Sequence, residues 1–229
     1  MIENRFDREP IPLEETLKPR WNSLCSRLGI SEHQESFKDL CNHYNEPHRA
    51  YHTLNHLNNC FNEFDEIKSL LNNPDSVELA IWFHDAVYNI SQHDNEGKSA
   101  QLAKDFCHKN NLSKNFIKKV EDHILATGNH ELSTDPDTNY LIDIDMSILG
   151  YPPKTLYEYE DQIFKEYSTV YNRKEYIFGR LGFLFKLKDY DLYKTDYFKN
   201  KYGQSCQENI PKVIANLEKS YFNIQENEF

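Results

Sequence analysis

The chain has 229 residues, 38% hydrophobic and 28% charged, with a formal net charge of −11. That length suits a single domain with a sizeable core. The acidic balance argues against duplex nucleic acid as a partner, and no stretch approaches the ~18 apolar residues of a membrane span. Five scattered cysteines without a Cys-x-x-Cys, behind a charged N-terminus lacking an apolar signal segment, predict a cytoplasmic protein with reduced thiols.

Residues 1–12, polar with Pro10 and Pro12, read as an N-terminal arm, and 13–229 as one helical domain with few tight turns. Leu17, Trp21, Leu24 and Leu28 fall at helical spacing and end at Gly29, a C-terminal cap, with Pro19 marking a first turn or a kink. Ser31 and Gln34 have the spacing of a capping box before the stripe Phe37, Leu40, Cys41, Tyr44. Next, His52 and His56 stand four apart beside Leu54, Leu57 and Phe61, so a helix stacks both imidazoles on one face. Two surface histidines would show the same spacing.

The following helix, opened by Asp75 or Ser76, carries Val77, Ala80, Ile81, His84, Val87 and Tyr88. Within it, Ile81-Trp82-Phe83-His84-Asp85-Ala86-Val87-Tyr88 places an adjacent His and Asp in an apolar, aromatic run. An ionised Asp in such a run is costly unless paired or bound to metal. A buried His-Asp pair serving structure alone is the plain alternative, and the dipeptide recurs at His93-Asp94 among polar neighbours. Two successive helices thus offer inward imidazoles, as a metal site between packed helices requires.

Asp94 restarts a helix through Leu102, Ala103 and Phe106, and Ser113 caps another containing Ile117, Val120 and Ile124. His123 and His130 either reach a cleft or only cap and line it. In Tyr140-Leu141-Ile142-Asp143-Ile144-Asp145-Met146, residues two apart on a helix point about 200° apart. One carboxylate is therefore a ligand candidate, and the other a cap, a supporting group or surface. The remainder is helical: Tyr159, Ile163, Tyr167 and Val170 form one stripe, and Tyr176, Ile177, Leu181, Leu184 and Leu187 another. Asn209-Ile210-Pro211 has the form of a helix start. The aromatic excess reads as core rather than a base-stacking platform, and Arg173, Lys174 and Arg180 as a solvated basic face.

His56, His84-Asp85 and Asp145 on three helices of an all-α chain make a mixed nitrogen and oxygen shell. It suits Mn, Fe, Ni, Zn or Mg. The order H…HD…D resembles the HD-domain superfamily of metal-dependent phosphohydrolases. Tyr51-His52-Thr53-Leu54-Asn55-His56 is similar to the YHNxxH element of class I cyclic-nucleotide phosphodiesterases, with Thr53 where that family has Asn. Trp82-Phe83-His84-Asp85-Ala86-Val87-Tyr88, Asp94-Asn95-Glu96…Ser99-Ala100 and Asp145-Met146…Leu149-Gly150 resemble a bacterial group described only as predicted HD phosphohydrolases, over roughly residues 20–220.

The resemblance implies an HD-type helical bundle in which His56, His84, Asp85 and Asp145 hold a divalent metal ion. It makes Asp145, rather than Asp143, the ligand. It implies His52 as proton donor to the leaving oxygen, Asp85 as holder of metal and nucleophile, and Arg49 as the group neutralising phosphoryl charge. A second pair of metal-binding histidines is matched only if His123 and His130 serve, and these, with Asp143, are candidates for supporting or second-metal roles. The implied activity is hydrolysis of a phosphomonoester or phosphodiester of a small molecule such as a nucleotide. Neither duplex nucleic acid nor membrane is an expected partner, and homo-oligomerisation is left open. Two other readings share these residues: an HD-fold mixed-valent di-iron oxygenase, and a non-catalytic module binding metal and nucleotide. A ferritin-like di-iron bundle is excluded, since no His has a Glu three residues before it.

Overall fold

A computed structural model describes residues 11–188 and 192–226, and every regular element among them is helical. Most of the expected 1–12 arm therefore lies outside the described residues. Helix α1 (Leu13–Arg27) buries Leu17, Trp21, Leu24 and Cys25 and closes at Gly29, whose φ of +71° lets the Ile30 amide reach the Cys25 carbonyl at 2.8 Å. Pro19 sits inside α1, not in its first turn. The capping box expected at Ser31 does not form. Helix α2 (Gln34–Tyr44) starts after His33, whose carbonyl accepts from the Trp21 indole at 3.0 Å, so the start lies too far along the chain for Ser31 to cap it.

Helix α3 (Leu54–Ile67) is capped by the Thr53 hydroxyl, which accepts from the Asn55 amide. Helix α4 (Pro74–Phe83) is the central rod. Pro74 supplies the preset φ of a first helical position and Asn73 caps it. Val77, Leu79, Ala80, Ile81 and Trp82 are all fully buried, and Glu78 is buried with them, paired with Arg20 and Arg27, so these turns are covered on every side. Around it pack α3, α5 (Asn95–Lys109), α6 (Lys114–Ala126, capped by Ser113 as expected) and α7 (Pro136–Asp145).

A 3-10 turn, Met146–Gly150, leads into the C-terminal third: α8 (Pro153–Tyr167), α9 (Arg173–Lys188) and α10 (Asp196–Glu226). The expected helix start at 209–211 is absent, and α10 runs through Pro211. Two facts allow this. Pro211 and Gln207, whose carbonyl loses its partner, are both exposed to water. The Asn209 side chain is occupied elsewhere, donating to the carbonyls of Leu149 (3.1 Å) and Tyr151 (2.9 Å).

Candidate metal centre

The chain leaves the helix at the end of α4, earlier than the hydrophobic spacing predicts. His84 ends α4, and Asp85, Ala86, Val87 and Tyr88 lie beyond it. Two side chains hold this exit. Arg49 donates to the carbonyls of Asp85 (2.7 Å) and Ala86 (3.0 Å), and the Ser99 hydroxyl accepts from the Val87 amide (3.0 Å). His52 likewise precedes α3 rather than sharing its first turns, although its ring stays 5.7 Å from that of His56.

The structure brings His56, His84, Asp85 and Asp145 together. The two Nε2 atoms are 3.0 Å apart. Asp85 Oδ2 lies 3.1 Å from His84 Nε2 and 3.4 Å from His56 Nε2, and Asp145 Oδ1 lies 3.6 and 3.3 Å from the same atoms. Donors sharing one ion at bonds of about 2.0–2.2 Å stand roughly 3.0–3.5 Å from one another, so these separations fit. His84 Nδ1 lies 2.9 Å from the Ile81 carbonyl, which accepts only if that nitrogen carries a proton, so Nε2 is the ring nitrogen left to face the other donors. Burial opposes charge on all four groups. Nonetheless, the facing imidazoles hold Asp85 and Asp145 well below the usual carboxylate range, and the facing carboxylates hold His84 well above the ordinary histidine value.

Cys60, which sequence reasoning passed over, stands one turn after His56. With His56, His84 and Asp145 it forms a group whose ligand atoms lie within 4.8 Å of one another and which could hold a metal ion. Its sulfur is nearly equidistant from His56 Nε2 (3.7 Å) and Nδ1 (3.8 Å). That puts it over the ring rather than in front of the Nε2 lone pair, so Asp85 is better aimed as the fourth donor.

The other sequence candidates divide. His130 reaches the centre, with Nε2 3.0 Å from Asp145 Oδ2, and it does so from a left-handed backbone (φ +54°) that is strained for a side chain of this kind. His123 does not reach it. It is fully buried between Ser76 (3.1 Å) and Thr138 (2.7 Å), and burial lowers its pKa. Asp143 points away, as the 200° argument requires, accepting from the Lys194 amide (2.7 Å) and from the Thr195 amide and hydroxyl (2.8 and 2.7 Å). The expected phosphate-neutralising role of Arg49 does not fit its surroundings. Its guanidinium is buried and committed to Glu46 and to the carbonyls of His52, Asp85 and Ala86. Arg49 is a backbone clamp.

The residue that sequence reasoning missed most plainly is Glu166 on α8. Fully buried, it accepts through Oε1 from the amides of Ala50, Tyr51 and His52 at 2.7–2.9 Å, and its Oε2 lies 2.7 Å from His52 Nδ1. Burial alone would raise its pKa, but His52 and the amides bring it down to about 2. The carboxylate fixes the Nδ1 proton of His52 and leaves Nε2 for chemistry, while Tyr88 stacks on the ring at 4.0 Å.

His52, Asp85, His130 and Asp145 line a cavity of about 510 Å³, within the range of small-molecule sites. Its opposite wall comes from α8 and α9, including Tyr159, Tyr167, Tyr176 and Arg180. The aromatic excess is thus not core alone, and Arg180 is not on a solvated face. Both Glu166 and Arg180 could have been found as charged residues on apolar stripes, three after Ile163 and four after Tyr176. Comparison with family models, curated proteins and solved structures finds no match. No described helix is long and apolar enough to cross a membrane.

Proposed function

We propose that this chain is an HD-type, metal-dependent phosphohydrolase that cleaves a phosphate ester of a small molecule, a nucleotide or similar metabolite. The observation that carries the reading is the convergence of two imidazoles and two carboxylates on one point beside a cavity that also receives His52. His56, His84, Asp85 and Asp145 would hold a divalent ion, which would supply acidification of water towards neutral pH and polarisation of a phosphoryl oxygen.

The protein's own groups account for the rest. His84 is locked in one tautomer by the Ile81 carbonyl, and Asp85 is held in place through its own carbonyl by Arg49. As the ester P–O bond breaks and the water oxygen bonds to phosphorus, the leaving oxygen takes a proton. His52 Nε2 is the atom that delivers it, from the doubly protonated ring whose Nδ1–H stays with Glu166, while the attacking water gives up its proton to solvent and so balances the step. The apolar and aromatic walls limit water around the reacting group.

The test is turnover of a panel of phosphorylated metabolites by protein loaded separately with Mn, Ni, Mg and Fe. The expected products are inorganic phosphate or a nucleoside monophosphate, lost on chelation. Dioxygen uptake with no phosphate product would replace this reading with the oxygenase. Metal binding with neither reaction would leave a non-catalytic module.

A further inference from the structure

With Arg49 spent on backbone carbonyls, the cavity needs another donor if it is to hold an anion. Among the lining residues that donor is Arg180, the one Lys or Arg there, set against the carboxylates of Asp85, Glu96, Asp145 and Glu175. Its surroundings are built rather than incidental. Nε donates to Glu160 Oε2 at 3.0 Å, and Nη2 donates to Glu160 Oε1 at 2.5 Å and to the Tyr159 hydroxyl at 2.9 Å. The side chain is 9% exposed, with its guanidinium carbon 5.1 Å from the Tyr159 ring centre and 5.0 Å from that of Phe183.

This fixes the plane of the fork and leaves one arm over. No hydrogen bond engages Nη1 among the described residues, and its two N–H groups belong to a side chain that lines the cavity. A guanidinium so clamped loses little further freedom on binding, which is why arginine suits oxyanion recognition. Tyr159 also connects it to the donor end. Its ring lies 4.5 Å from Tyr51, which lies 4.9 Å from His56.

We propose that Arg180, through Nη1, is the anchor for an oxyanion of the ligand in this cavity, with Glu160 and Tyr159 as its positioning residues. The identity of that oxyanion rests on the phosphohydrolase reading, and two sources share its chemistry: the phosphoryl group itself, or an acidic group at the ligand's far end. The charge inventory limits the ligand as well. With Asp85 and Asp145 assigned to the ion, Glu96 and Glu175 remain in the lining against one already-paired cation, and a single free arm suits one oxyanion group better than a di- or triphosphate.

The experiment measures binding, so it is independent of turnover. Inorganic phosphate and phosphoglycolate are titrated calorimetrically into metal-loaded protein, wild type and Arg180→Lys, with metal content and melting temperature followed in parallel. Arg180→Met combined with Glu160→Met removes the pair without leaving a buried charge alone, guarding against a variant that merely unfolds. The expected result is about 10- to 100-fold weaker binding with metal content unchanged, the range for a hydrogen bond to a charged group. Weakening for both probes assigns the contact to the phosphoryl group. Weakening for phosphoglycolate alone assigns it to a distal acid. Unchanged affinity for both in folded, metal-loaded variants overturns the anchor. Absence of turnover in wild type would instead overturn the hydrolase reading and leave this result standing.

Discussion

His84-Asp85 and His93-Asp94 are the same dipeptide in one chain, and their surroundings give them opposite characters. The first follows the buried end of α4, is held by Arg49, and faces His56 and Asp145 at 3.0–3.6 Å. The second lies on an exposed bend, where Asp94 precedes α5 without a side-chain capping bond. The residues are equal; desolvation and convergence differ. A motif of this kind acquires chemistry only where burial makes its charges expensive and other helices bring matching donors.

The sharpest way to break that contrast is to delete each carboxylate in turn. Asp85→Ala should lower metal affinity by at least ~100-fold and abolish turnover, since even residues that merely support a ligand cost 10–100-fold. Metal stoichiometry after dialysis measures it. Asp94→Ala should bind metal like wild type and change stability by no more than about 0.5 kcal/mol. Equal metal loss in the two variants would erase the distinction.

His52→Ala should lower kcat by ~10²–10⁴ with metal content intact. Metal loss instead would make His52 a ligand. Arg49→Ala should act on the fold rather than on the anion. Leaving the carbonyls of His52, Asp85 and Ala86 without their donor should cost about 2–4 kcal/mol in urea unfolding.

The last effect is in acid. Glu166 ionises at about 2 in the folded protein against an ordinary 4.5, because His52 and the amides outweigh burial. A depressed carboxylate contributes stability in full above about pH 4.5, and that contribution is lost as pH falls towards 2. Wild type should therefore lose melting temperature more steeply across that window than Glu166→Gln. Parallel curves would mean the carboxylate contributes no differential stability.

Much of this was legible in the sequence because helices repeat. The Gly29 and Ser113 caps and the apolar run that ends α4 follow from local spacing, as does the rule that Asp143 and Asp145 cannot face one point; the choice of Asp145 comes from the family resemblance. The early end of α4 was not legible, since it is imposed by Arg49 and Ser99 from distant segments. The continuous α10 was missed because Pro211 faces water, where a lost hydrogen bond is cheap. Arg49 was expected at the phosphoryl group and is a buried backbone clamp, while Arg180 was expected on a solvated face and lines the cavity. The polar stretch around Arg49 gives no local sign of which carbonyls will close on it.

The position of Glu166 also bears on the order in which the molecule comes together. All four donors have been synthesised once Asp145 emerges, whereas Glu166, Tyr159 and Arg180 come later. A nascent chain thus has its four converging side chains before the far wall exists, but not the clamp on Ala50, Tyr51 and His52, which closes a loop of more than a hundred residues. The donors and the wall also lie on separate segments of the chain. Substitutions in α8 and α9 can reshape what the cavity admits while His56, His84, Asp85 and Asp145 stay as they are. Glu166 ties that wall's first helix directly to the histidine on the other side.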